Sequence, residues 1–367
     1  MDPRFTAVRD AFTENFVSRD EIGASLCIEV DGTTVVDLWG GWQDEARLRP
    51  WQENTLVNVF SVGKAVASVC VARLVGQGAL RYDQAVADVW PEFAANGKAD
   101  ITVRQMLSHQ AGLPAVRQPL TVEDIFDWTT MCQTLAAHRP WWEPGTAHGY
   151  HVNTFGYLVG ELVRRASGNS LGTMVARQVA GPLEADFFIG LPDAELHRVA
   201  DYLDMQTLLP PAVPDDDERL MEFNAYFNPV GLSGTGVVNT TRWRQAEMPS
   251  TNGHATGRGI MLIFSALLAG DRLVEPAVLA EAISEEVYGD DVVLHRPSRF
   301  GLGFQLTQPE RPLGPNPRAF GHFGAGGSLG FCDPDASLAF GYAINTMGPR
   351  WQNPRNRALI EACYSCL

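Results

Sequence analysis

Apolar residues Phe5, Val8, Phe12 and Phe16 recur at intervals of three and four, which aligns them on one helical face, so the chain is expected to open with an amphipathic helix. Residues 24–30 and 34–38 then read as two strands joined at Asp31-Gly32, a dipeptide suited to a tight hairpin turn. From residue 61 to 75 almost every position is apolar or small, and the run stops at Gly76-Gln77-Gly78. Too many positions are apolar for one face, so this segment predicts a helix buried on all sides.

Helical patterns separated by Pro and Gly loops continue through residues 103–108, 122–137, 154–166 and 257–269. Residues 208–219, with the run Asp215-Asp216-Asp217-Glu218, read as a solvated loop; the Gly and downstream Glu of a calcium loop are missing. After Arg299 the texture turns to strands at 300–307, 328–332 and 337–345, with a turn at Asp333-Pro334-Asp335 and a last helix near 356–363. Both chain ends therefore share a strand-rich character. The expected architecture is α+β: residues 1–95 and 296–367 build one antiparallel sheet flanked by helices, and residues 96–295 form a mostly helical unit inserted between them.

A composition of 45% hydrophobic and 19% charged residues is that of an ordinary globular protein. The formal net charge of −15 disfavours nucleic acid and anionic membrane as partners, because both need clustered cations. The start, Met1-Asp2-Pro3-Arg4-Phe5, lacks the basic and apolar segments of a secretory signal, and no uninterrupted apolar run reaches the ~18 residues that span a bilayer; a cytoplasmic location is expected. Six cysteines in a chain this long do not make a disulfide framework, and most read as small buried hydrophobes. The Cys363-Tyr364-Ser365-Cys366 pair lacks the further ligands of a metal site.

The chain holds only two lysines, Lys64 and Lys98, beside twenty-six arginines. A lysine retained against such a bias suits a task arginine cannot perform, and losing a proton near neutral pH is one. Lys98, in Asn96-Gly97-Lys98-Ala99-Asp100, has the setting of an exposed turn. Lys64 stands three residues after Ser61 in Ser61-Val62-Gly63-Lys64, so the two share a face at the N-terminus of the buried helix. A hydroxyl needs a base to become a nucleophile, and the helix N-terminus adds backbone amides that stabilise developing negative charge.

Two further stretches belong with it. Pro144 to Asn153 form a turn before a helix and contain Tyr150, whose pKa a nearby lysine cation would lower until it served as general base; a core tyrosine is the plainer reading of that residue alone. His148 and His151 have a metal-ligand spacing but no evident third ligand. Gly321-His322-Phe323-Gly324-Ala325-Gly326-Gly327-Ser328 is glycine-rich enough for the backbone to approach a ligand closely. Gly326-Gly327-Ser328-Leu329-Gly330 also fits a Gly-x-Ser-x-Gly elbow, but no histidine follows Ser328 to complete that triad. Neither a metal cluster nor a nucleotide-binding motif is present, so no cofactor is expected.

In this order, Ser-x-x-Lys, the stretch Ile101 to Pro114 with Ser108-His109-Gln110-Ala111-Gly112-Leu113-Pro114, Pro-Gly-Thr followed by a tyrosine, and His-x-Gly in a Gly-rich strand, the chain resembles the serine β-lactamase and penicillin-binding-protein superfamily. More narrowly it is similar to the class C-like branch with the family VIII carboxylesterases. The resemblance implies a two-domain β-lactamase/DD-peptidase-like fold with an all-α domain and the site in the cleft. It implies Ser61 as acylated nucleophile, Lys64 as its proton partner, Tyr150 as base, and His322 in the place of the lysine of Lys-Thr-Gly. The oxyanion hole would be the amides of Ser61 and Ala325, with Gly324 beside them.

Two departures bear on substrate. Tyr-x-Asn becomes Tyr150-His151-Val152, with Asn153 one position late, and Lys-Thr-Gly becomes His322-Phe323-Gly324, which removes a permanent cation. Both favour a small neutral ester over a β-lactam or peptide. Carboxylester hydrolysis through an acyl-enzyme is the leading expectation; acyl transfer from the same intermediate, β-lactamase or D-amino-peptidase activity, and a silent scaffold are the alternatives. Trp128, Trp141, Trp142 and Tyr226 are candidate aromatic walls of the cleft.

Overall fold

The computed structural model describes residues 1–203, 212–232, 237–270 and 272–367. Eleven strands are present among them: β1 (Gly23–Val30), β2 (Thr33–Gly41), β3 (Val57–Phe60), β4 (Phe187–Phe188), β5 (Gly253–Ala255), β6 (Val287–Asp291), β7 (Arg296–Phe300), β8 (Gln305–Leu306), β9 (Phe320–Phe323), β10 (Leu329–Asp333) and β11 (Leu338–Ile344). Eight form one antiparallel sheet in the order β2-β1-β11-β10-β9-β8-β7-β6, and β3, β5 and β4 form a small second sheet. The first hairpin and the two last long strands stand where the sequence pattern put them.

Strand periodicity explains how the large sheet covers both faces. On β11, Leu338, Phe340, Tyr342 and Ile344 join Ala24, Leu26 and Ile28 of β1 in one apolar layer. The terminal helices Thr6–Ser18 and Pro354–Tyr364 pack into that layer through Val8, Phe12, Leu359 and Ile360. The alternate residues Cys27, Ala339 and Ala343 face the helix Gly257–Leu268, which brings Ile260 and Phe264 against them. Close to a buried ion pair of Glu21 with Arg355 at 3.2 Å, Tyr342 donates to Glu21, tying the last helix to the sheet.

Several expectations change. The residues expected as one strand over 300–307 divide into the end of β7 and the short β8, with Leu302 and Phe304 buried in the bend between them. The expected boundary at 295 falls inside the β6–β7 hairpin, and the helix Gly257–Leu268, expected in the helical unit, packs on the large sheet. The helical pattern over 122–137 breaks at Asp127, which has extended backbone and caps a second helix, Trp128–Ala137, through its carboxylate. The acidic run is not a loop throughout: Asp216 caps a helix over Asp217–Phe227, whose first turn holds Asp217 and Glu218, where the helix dipole favours negative charge. Residues 208–211 of that expected loop lie outside the described residues.

Lys98 is fully buried rather than exposed. Its ammonium donates to the carbonyls of Ala95 and His138, and burial lowers it to about 8. Two carbonyl acceptors make the position tolerable for a cation that a turn composition placed in water. Among the described residues no helix is long and apolar enough to cross a membrane, and no cluster of metal-ligating side chains occurs.

Candidate active site

The helix Val62–Gly76 is buried along almost its whole circumference, as the unbroken apolar run dictates. Ser61 occupies its N-cap position and follows β3 through Phe60, a bulky residue held at φ +47°. That conformation is uncommon for a residue with a large side chain; here it turns the strand sharply into the helix while the Phe60 ring packs edge-on against Tyr202 at 4.8 Å.

Lys64 lies one turn into the helix with its Nζ 3.2 Å from Ser61 Oγ. The same nitrogen donates to the carbonyls of Val152 at 2.8 Å and Ser250 at 3.1 Å. It is wholly buried, and desolvation holds its pKa well below the ordinary lysine range. A neutral amine has two N–H bonds and one lone pair. In that form the two carbonyls would take the hydrogens and leave the lone pair for the Ser61 hydroxyl.

Ser250 carries no signal of its own in the sequence, yet packing fixes it. A Cβ on Gly63 would stand 2.5 Å from the Pro249 carbonyl, and one on Gly156 would stand 2.5 Å from the Ser250 amide. The 249–250 segment is thus wedged between the nucleophile's helix and the helix Thr154–Ser167 at two glycines, and Ser250 Oγ accepts from the Gly156 amide at 2.5 Å.

Tyr150 stands beside this pair, its ring 4.7 Å below Lys64 Nζ. Its walls are His109 at 5.0 Å, Phe300 stacked at 5.9 Å, and Trp351 edge-on at 4.9 Å. The Ser61 hydroxyl favours the phenolate, but burial dominates and pushes the phenol well above its ordinary range. The expectation that Lys64 would lower the Tyr150 pKa is not met: burial raises Tyr150 and lowers Lys64, because both sit in the same dry site and desolvation penalises each charge.

The Tyr150 backbone is clamped from the sheet. The buried Asp291 carboxylate accepts from the amides of Tyr150 at 3.0 and 3.1 Å and of Val293 and Leu294 at 2.9 Å, and from Ser298 Oγ at 2.8 Å. His148 meets Ser298 Oγ at 3.0 Å, so its ring belongs to this clamp. His151 donates from Nδ1 to the Gly149 carbonyl and accepts from the Leu113 amide at Nε2, which occupies both nitrogens. Sequence reasoning missed Asp291 because a carboxylate at the end of a strand carries no distinguishing pattern. It also passed over His109, whose Nδ1 accepts from the His151 amide and whose ring forms one wall of Tyr150.

On β9, His322 donates from Nδ1 to the Phe323 carbonyl at 2.7 Å, and burial with Lys64 nearby lowers its pKa to about 3. It is neutral, with the lone pair of Nε2 buried and free of any partner among the described residues. Gly324 approaches β3 so closely that a Cβ there would lie 2.3 Å from the Val59 carbonyl, two residues before Ser61. Ala325 follows as the first residue of a 3-10 turn, where an amide has no partner within the turn. Ser328 is fully buried at the end of that turn.

Val152, Trp141 and Trp142 share one apolar cluster with Ala115, Met221 and Val293. Asn153 donates its amide to the Ala225 carbonyl at 3.1 Å, which ties it to the helix Asp217–Phe227. Tyr226, on that helix, is an electrostatic neighbour of Tyr150. Trp128 is not brought to this cluster: it covers Gly160 and donates to Glu161 at 2.9 Å.

The Beta-lactamase family model matches residues 8–363. The chain is 33% identical over 354 residues to the esterase/beta-lactamase LipL of Mycobacterium tuberculosis, covering 94% of this chain and 82% of that protein. It superposes on a crystal structure of a family VIII carboxylesterase with a TM-score of 0.91 at 42% identity, covering 100% of this chain and 98% of the other. A penicillin-binding protein homolog from Caulobacter crescentus gives a TM-score of 0.91 at 41% identity with the same coverage. An unbroken match along nearly the whole chain, on the fold that its strand order builds, establishes that the chain belongs to the beta-lactamase family.

Proposed function

We propose that the protein is a serine carboxylesterase that cleaves small esters through an acyl-enzyme on Ser61. The observation that carries this reading is the placement of a buried lysine nitrogen 3.2 Å from the hydroxyl of the serine at the helix N-terminus, with the Tyr150 ring 4.7 Å beneath that nitrogen. The named esterase and carboxylesterase relatives support the same class.

In this reading Lys64 takes the Ser61 proton as Oγ bonds to the ester carbonyl carbon. The amides of Ser61 and Ala325 receive the oxyanion. Collapse breaks the carbon–oxygen bond to the alcohol, Tyr150 gives its proton to the departing oxygen, and Lys64 restores the proton to the phenolate. Water then adds to the acyl-enzyme by the same route in reverse, releasing the acid and free Ser61. Assigning Lys64 as base and Tyr150 as acid follows the direction in which burial moves each group. The neutral His322, in place of a lysine, leaves this position on β9 without a permanent cation for a substrate carboxylate.

Release of p-nitrophenol from p-nitrophenyl butyrate by wild type and by Ser61→Ala tests the reading. Turnover abolished by the substitution supports it; turnover retained by Ser61→Ala, or none by wild type, removes it.

A further inference from the structure

The short helix Val103–Leu107 ends in a turn whose left-handed position is filled by a histidine. Ser108 donates its amide to the Arg104 carbonyl at 3.0 Å, Gln110 donates to the Gln105 carbonyl at 2.8 Å, and between them His109 stands at φ +63°. Glycine takes this place at helix ends without strain, whereas a residue with a Cβ costs free energy there. The His109 ring is fully buried and is enclosed by Phe300 at 4.6 Å, Tyr150 at 5.0 Å, Phe155 at 5.1 Å and His151 at 5.4 Å. Its Nε2 has no hydrogen-bond partner among the described residues, a second cost that an apolar ring at this position would not carry.

What offsets both costs lies in the stretch Gly149-Tyr150-His151. The His109 carbonyl accepts from the Gly149 amide at 3.1 Å, and His109 Nδ1 accepts from the His151 amide at 3.2 Å. One residue thus holds the amides on either side of Tyr150, while the Tyr150 amide itself goes to Asp291. Only a neutral imidazole can do this: Nδ1 must keep its lone pair, so the ring proton sits on Nε2. Burial, with His151 and Lys64 nearby, holds the His109 pKa well below the ordinary histidine range, which keeps that lone pair free. The strained backbone, the orphaned donor and the two bonds all meet on the residue that grips the phenol beside Lys64.

We propose that His109 is a positioning residue for proton delivery by Tyr150, and that the acceptor at Nδ1, rather than the bulk of the ring, is what the position requires. The inference rests on the esterase reading, in which Tyr150 protonates the leaving alcohol oxygen. General acid catalysis needs the donor oxygen within hydrogen-bond reach of that atom, and a misplacement of about 1 Å is enough to cost a large part of the rate. With both flanking amides and its own amide held, the Tyr150 backbone is fixed from three hydrogen bonds. Attack by Ser61 uses Lys64 as base, so loss of the His109 grip falls on departure of the alcohol.

The test compares p-nitrophenyl butyrate with ethyl butyrate, which share an acyl group and differ in how far the leaving oxygen depends on a proton. p-Nitrophenoxide departs as a stable anion, whereas ethoxide needs the proton. The first is followed by absorbance of p-nitrophenol and the second by release of acid in a pH-stat. His109→Phe, which keeps a ring and removes the acceptor, is expected to lower kcat for ethyl butyrate about tenfold more than for p-nitrophenyl butyrate, with both KM values changed by less than about twofold. His109→Asn places its oxygen where Nδ1 stands and tolerates the left-handed backbone, and is expected to restore the wild-type ratio of the two esters. Partial unfolding lowers both rates alike, so an equal loss on the two esters, or a ratio in His109→Asn as low as in His109→Phe, would overturn the assignment. Should His109→Phe not fold, His109→Gln, whose oxygen is carried one bond further out, takes its place with the same expectation. A wild type that cleaves p-nitrophenyl butyrate but not ethyl butyrate would also overturn it, since no proton then reaches the leaving oxygen. Turnover that survives Ser61→Ala, or none of either ester by wild type, would instead remove the esterase reading on which it rests.

Discussion

Lys64 Nζ lies 4.7 Å from the centre of the Tyr150 ring, over its face, and the two residues are driven in opposite directions by the same burial. An ammonium there would gain from the ring quadrupole, but the full loss of water outweighs that contact. Burial therefore favours an unprotonated amine above a protonated phenol, the reverse of the charged pair that proximity alone suggests.

The pH profile follows. In the proposed mechanism, turnover needs Lys64 without its proton and Tyr150 with its own. The acid limb of kcat/KM should fall well below the ordinary lysine range, and the alkaline limb should not begin before pH ~10, the ordinary tyrosine value. Lys64→Arg, which cannot lose its proton, should lower kcat/KM by about a hundredfold or more. A profile measured with p-nitrophenyl butyrate that declines steadily between pH 7 and 9 would contradict the assignment.

Asp291 should behave as a positioning residue. Asp291→Ala leaves three buried amides and the Ser298 hydroxyl without their acceptor, at a cost on the order of 3 kcal/mol in urea unfolding. The accompanying loss should appear in kcat more than in KM, because Tyr150 and not the substrate loses its anchor. Asp291→Asn, which keeps one acceptor oxygen, should recover part of both. An equal loss of kcat in the two variants, with normal unfolding, would argue against an anchoring role.

Gly156→Ala tests the wedge that sets the lysine's carbonyl partner. The added methyl would meet the Ser250 amide at 2.5 Å, and relieving it must move backbone. Overpacking of this kind costs about 1–3 kcal/mol. Activity should fall with it, because the Ser250 carbonyl is displaced from Lys64. A variant with wild-type melting temperature and wild-type kcat would show that the segment is freer than its packing implies.

Glu21 should make stability depend on pH. Burial outweighs Arg355 and Tyr342 and raises its carboxyl from 4.5 to about 7. Between these values the folded protein holds a proton that the unfolded chain releases. The stabilisation is therefore complete below pH ~4.5 and is lost as pH rises through about 7. Glu21→Gln should flatten that part of the curve of melting temperature against pH; an unchanged slope would place the dependence elsewhere.

Residues whose role is local were legible in the sequence. Ser61 and Lys64 share a helix turn, so their spacing fixed their proximity, and the buried character of that helix followed from its unbroken apolar run. The first hairpin was legible for the same reason. Tyr150 and His322 could be singled out only through motif order, since Ser61 and Lys64 come from a distant part of the chain. Lys98 was misread because a turn composition says nothing about which carbonyls are at hand to receive a buried ammonium.

What the sequence by itself determined is the chemistry available: a serine and a lysine one turn apart, a glycine-rich strand, two faces of alternating apolar residues, and a family pattern in the right order. Only the tertiary structure decided the direction in which burial moves each proton equilibrium and the surroundings that hold these groups. Ser250 and Val152 present their carbonyls to Lys64, Asp291 holds Tyr150 by its backbone, and Arg296 and Arg311 meet on Trp351 from different segments. Desolvation and pairing depend on everything within a few ångströms, and those neighbours come from parts of the chain that no local pattern relates.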